Sequence, residues 1–100
     1  MELKPGVRIN GIRPELTVAL MVTQIVLADR PMVVTSVTDG KHSRGSLHYA
    51  GSAFDLRTRD FGFSDTTLIR DKLSAALGGD FDVVLETDHL HIEYQPKEQY

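Results

Sequence analysis

The sequence predicts an α+β domain with a mainly antiparallel sheet and two helices. Two stretches, about 14–29 and 65–77, space apolar residues at helical intervals. Four shorter ones, about 32–37, 52–59, 82–86 and 89–94, carry β-branched runs or period-two alternation. Their order, α, β, β, α, β, β, is neither the strict alternation of a parallel α/β sheet nor an all-strand pattern.

Each element follows from local chemistry. Residues 1–13, with Pro5, Gly6 and Gly11, read as an extended lead-in. Pro14 suits a first helical position, where its missing N–H costs no hydrogen bond. Leu16, Ala19, Leu20, Thr23, Val26 and Leu27 then repeat at helical spacing, with Val18, Val22 and Ile25 widening the apolar face, so this helix is expected to be largely buried. Pro31 stops it, and Met32–Val37 reads as a strand. Residues 38–50 are polar and punctuated by glycine, a loop of functional length. Ser52–Arg59 alternates Ala53, Asp55 and Arg57 against Phe54, Leu56 and Thr58.

Ser64 or Asp65 is expected to cap the second helix. Leu68, Ile69, Leu73, Ala76 and Leu77 would face the core, and Gly78 and Gly79 would end the helix. Asp82–Glu86 and His89–Tyr94 read as two strands around a Thr87–Asp88 turn, with His89, His91 and Glu93 on one face. The last residues, 95–100, read as a frayed tail.

The chain has 100 residues, 41% hydrophobic and 25% charged, the size and balance of one globular domain, residues 1–100. Net charge is -3, with both signs dispersed, which offers neither a basic footprint for nucleic acid nor a polybasic membrane patch. A monomer is expected. The apolar run of the first helix is too short to span a bilayer, and no small-residue cleavage signal follows it. The expected product is therefore leaderless and cytoplasmic as synthesised. There are no cysteines, so any metal must be held by His, Asp or Glu.

The chemistry concentrates in two clusters, Ser46-Leu-His48-Tyr-Ala-Gly51-Ser-Ala53-Phe-Asp55 and Glu86-Thr-Asp88-His89-Leu-His91-Ile-Glu93. A catalytic zinc site needs three protein ligands and an open position for water. His48 ends the polar loop, Asp55 lies on the next strand, and Gly51 permits a sharp turn between them. His91, on a separate strand, would complete the set. Asp88 and Glu86 are the candidate bases, and His89 is a candidate for holding a tetrahedral intermediate or orienting substrate. The acidic strand Asp also suits manganese or iron.

The first cluster is similar to the S-x-H-x-x-G-x-A-x-D pattern of the zinc D-alanyl-D-alanine peptidases. The second resembles their H-x-H motif and the D-x-x-H-x-E form of phage L-alanyl-D-glutamate endopeptidases. These motifs span about 35–60 and 82–94, close to half the chain. The resemblance implies a hedgehog/DD-peptidase fold and a Zn2+ cofactor. It implies His48, Asp55 and His91 as ligands, and the acidic residue upstream of His91 as base. That residue is Asp88 in the D-x-x-H form, with Glu86 in contention. A register using Glu86 and His89 would make His89 the ligand, whereas the second His of H-x-H is the family's usual one. The implied activity is hydrolysis of a peptidoglycan stem peptide, at a D-Ala-D-Ala or L-Ala-D-Glu bond. A phage-encoded chain of this kind would reach the wall after release.

The chain departs from the family pattern before the first His. Many members carry an Arg in an S-G-x-R segment before the first His, whereas this chain reads Ser36-Val-Thr-Asp39-Gly-Lys41. Lys41, Arg44 or Arg57 would have to substitute. Ser46 is read as a hydrogen-bonding support, Tyr49 as pocket wall, Arg57 and Arg59 as solvated strand charges or else contacts to a substrate carboxylate, and His42 as a structural or rim residue. The rival function is a metal-binding interaction domain of the same fold that turns nothing over, and a third is a peptidase acting on soluble dipeptides.

Overall fold

A computed structural model describes residues 1–38 and 51–96. It is α+β, with β1 (Glu2–Leu3), α1 (Pro14–Leu27), β2 (Val33–Ser36), β3 (Ala53–Arg57), α2 (Phe63–Leu77), β4 (Phe81–Leu85) and β5 (His89–Tyr94). The strands form one sheet in the order β1-β2-β3-β5-β4.

The sheet is mixed. β2–β3, β3–β5 and β5–β4 pair antiparallel, but β1 runs parallel to β2. β1 lies inside the stretch expected to be a lead-in. Its two residues are too few to show alternation, and only their partner defines them as a strand: the Glu2 N–H donates to the Met32 carbonyl at 2.7 Å and the Lys4 N–H to the Val34 carbonyl at 2.9 Å. α1 supplies the long crossover that a parallel neighbour requires.

Both helices cover one face of the sheet. α1 packs on α2 and β5, and α2 on β4. Leu16, Ala19, Leu20 and Leu27 of α1 meet Ile69 and Leu73 of α2 over Val34, Phe54, Leu56, Leu90 and Ile92. Each fully buried Leu, Ile or Phe side chain contributes about 1.5–3 kcal/mol in transfer from water. Thr23 enters this layer without an orphaned hydroxyl, because its Oγ1 donates to the Ala19 carbonyl at 2.8 Å.

Three helix expectations are corrected. α1 is not buried all round: Val18, Met21 and Ile25 are exposed, because one side of a two-layer domain faces solvent whatever its composition. On α2, Leu68 and Ala76 also point outward, while Thr66 takes a buried position. Ser64 and Asp65 do not cap α2. The helix starts two residues earlier than expected, with Gly62 at the N-cap and no side-chain cap. Asp65 instead lies in the first turn, where its charge complements the helix dipole.

The strands follow their alternation closely. Phe54 and Leu56 of β3 and Leu90 and Ile92 of β5 are fully buried beneath the helices. The intervening Asp55, Arg57, His89, His91 and Glu93 are half-buried on the opposite face. The β4–β5 hairpin closes through the Glu86 N–H donating to the His89 carbonyl at 2.9 Å, which leaves Thr87–Asp88 at its tip.

Candidate functional site

Cross-strand register creates the site. β3 and β5 are neighbours, and Asp55 pairs directly with His91, flanked by Arg57 opposite His89 and Ala53 opposite Glu93. Directly paired side chains on one face lie within reach of each other. The His91 Nδ1–H accordingly donates to Asp55 Oδ1 at 2.9 Å. Both side chains are mostly enclosed, at 19% and 14% exposure.

His89 joins from the other side, its Nε2 3.7 Å from Asp55 Oδ1 and 3.4 Å from Glu86 Oε2. Its Nδ1–H donates to Asp88 Oδ1 at 2.7 Å. Glu93 Oε1 stands 3.8 Å from His91 Nε2. The face thus gathers two imidazoles and four carboxylates.

This arrangement sets the electrostatics. The hydrogen bond that His91 donates to Asp55 raises the His91 pKa above its ordinary value, burial opposes the rise, and the charges of Asp55, Glu93 and Glu86 add to it. His89 holds the Asp88 carboxyl below the usual range through its hydrogen bond.

The two candidate bases differ in placement. Both touch His89, but on opposite ring nitrogens. Glu86 shares Nε2 with Asp55, so it lies on the side of the Asp55–His91 pair. Asp88 engages Nδ1, away from the pair, and is 85% exposed.

Of the expected substrate contacts, Arg57 is already engaged. Its Nε and Nη2 donate to Asp60 Oδ2 and Oδ1 at 2.9 and 3.0 Å, a two-pronged pair that raises the Arg57 pKa and lowers that of Asp60. The i, i+3 spacing of Arg57 and Asp60 was the available signal for this pair. Glu93 had a signal too, since it continues the alternation of His89 and His91. His48, Ser46 and Tyr49 lie outside the described residues, as do His42, Lys41 and Arg44.

Among the described residues, no group of three or more His, Cys, Asp or Glu side chains is arranged to hold a metal. Asp55 and His91 fit as two ligands of a larger set. Their donor atoms face each other 2.9 Å apart, and two ligands at about 2.0–2.1 Å from a tetrahedral ion lie about 3.3 Å apart. A small outward adjustment would suffice.

Gly51 ties the start of this region to the lead-in. Its φ is +70°, and a Cβ there would overlap the Gly11 carbonyl oxygen and lie 2.9 Å from the Gly11 carbonyl carbon. The Arg13 N–H donates to the Gly51 carbonyl at 3.0 Å. No protein-family model matches the chain, and a search of the curated proteins finds none similar to it.

Proposed function

We propose that the protein is a zinc-dependent peptidase of the hedgehog/DD-peptidase fold that hydrolyses a bond of the peptidoglycan stem peptide, D-Ala-D-Ala or L-Ala-D-Glu. The observation that supports this best is the Asp55–His91 pair. Two residues of separate sequence clusters, 36 positions apart, meet on one sheet face with donor atoms 2.9 Å apart. His89 and Glu86 stand beside them. The peptidoglycan substrate rests on the motif resemblance.

In this reading His48, Asp55 and His91 would hold the ion, which would supply Lewis-acid polarisation of the scissile carbonyl and acidification of water. Glu86 accepts the proton of the attacking water at its carboxylate and returns it to the leaving amine nitrogen. Asp88 accepts from the His89 Nδ1–H and fixes the ring, which leaves Nε2 on the side of the Asp55–His91 pair, where the oxyanion develops. The geometry favours Glu86 as base over Asp88. Asp88 lies against the far nitrogen, and its lowered pKa makes it a weaker proton acceptor.

Metal content by elemental mass spectrometry tests the site, for wild type, His48→Ala and Asp55→Ala. About one zinc per chain, lost in both variants, is expected. Digestion of purified peptidoglycan fragments and of soluble dipeptides then tests the reaction. Zinc without cleavage of either would make this a binding domain. No zinc, bound or taken up, would remove the peptidase reading altogether.

A further inference from the structure

The sheet face that carries the His91–Asp55 pair continues toward β1 as a groove of about 530 Å³, lined by Lys4, Thr35, Arg57, Arg59, Asp88 and His89. Register explains the gathering. Lys4 directly follows β1, Thr35 lies on the neighbouring β2, and Arg57 ends β3 opposite His89.

The charges of the groove do not cancel. Arg57 is neutralised by Asp60, and the one carboxylate among the described lining residues, Asp88, is hydrogen-bonded to His89 and faces two cations. Lys4 and Arg59 have no ion-pair partner within 4.0 Å among the described residues, although Asp60 feels the Arg59 charge at longer range. The groove is therefore locally positive in a chain of net charge -3. Two cations beside a concave wall raise the local concentration of anions and offer charge-assisted hydrogen bonds. Thr35 adds a hydroxyl, and the Arg57–Asp60 pair forms a rigid wall rather than a ligand.

We infer that this groove is an anion subsite in which Lys4 and Arg59 hold a carboxylate of the substrate flanking the scissile bond. The inference builds on the peptidase reading and narrows its substrate class to peptides bearing that negative charge. It assigns the contact to residues from the β1 edge and from the segment after β3, in place of the paired Arg57.

Binding and hydrolysis are measured separately. Wild type and the Lys4→Ala/Arg59→Ala double variant are titrated with glutarate, its neutral diamide and inorganic phosphate at constant ionic strength, following backbone amides by NMR. Glutarate should shift the signals of Thr35, Arg57 and Arg59, the diamide should not, and the double variant should lose the response. Both substituted side chains are exposed, so an unchanged spectrum elsewhere verifies the fold. No saturable glutarate response, or an equal one in the variant, overturns the subsite whether or not the protein cleaves peptides. A response to phosphate stronger than to glutarate overturns the carboxylate assignment. In hydrolysis, the double variant should raise KM about tenfold for a carboxylate-bearing peptide with kcat little changed, and leave its carboxamide unaffected. Equal KM changes on both peptides would also overturn it. Saturable glutarate binding without any cleavage would preserve the anion site and remove the peptidase reading alone.

Discussion

Replacing Gly51 by alanine isolates what holds the start of β3, within the first cluster, in place. Two costs act together. At φ +70° an L-residue occupies the left-handed region, a penalty of about 1–2 kcal/mol. The added Cβ also meets the Gly11 backbone, with Ile12 Cα at 3.1 Å. A backbone cannot rotate away as a side chain can, so overpacking adds about 1–3 kcal/mol. The sum, about 2–5 kcal/mol, is a large part of the 5–15 kcal/mol typical of a domain. Gly11→Ala is the control: its φ is +73°, but nothing lies within 4 Å of its Cβ, so only the conformational part applies, about 1–2 kcal/mol. Urea unfolding monitored by circular dichroism would read both. A Gly51→Ala loss no greater than that of Gly11→Ala would refute the steric argument. Because Asp55 lies four residues beyond Gly51, the variant should also weaken zinc binding.

Further outcomes follow from the same geometry. Glu86→Gln should lower kcat for wall-peptide hydrolysis by about 10²–10⁴-fold with zinc retained, while Asp88→Asn should lower it less; the reverse order would make Asp88 the base. With chelator present, the raised His91 pKa means that its pairing with Asp55 contributes stability fully below the ordinary histidine value, lost as pH rises through the raised one. Asp55→Asn should therefore destabilise more near pH 5 than near pH 8, and an equal effect would count against the pair. Zinc affinity should rise with pH, since His91 must release a proton to bind. Leu56→Ala, at a fully buried position, should cost about 2–5 kcal/mol. Ile25→Ser, at a position 75% exposed, should stay within about 0.5 kcal/mol.

Much of the fold was readable because its elements are periodic. Pro14 and Pro31 bracket α1, Gly78 ends α2, and the alternation of β3 and β5 assigns Phe54, Leu56, Leu90 and Ile92 to one face and Asp55, His89 and His91 to the other. Those are local properties, since one residue's placement on a helix or strand dictates that of its neighbours. What spacing alone could not supply was the partner across the sheet. Register set Asp55 opposite His91, placed Glu86 and Asp88 on opposite nitrogens of His89, and made Glu2–Leu3 a strand. Solvent exposure of Val18, Met21 and Ile25 was likewise decided by the layer above the sheet, not by their apolarity. Sequence by itself determined which side chains share a face, because period is a property of the backbone. Tertiary structure alone decided which of them touch, because pairing depends on chain segments distant in sequence.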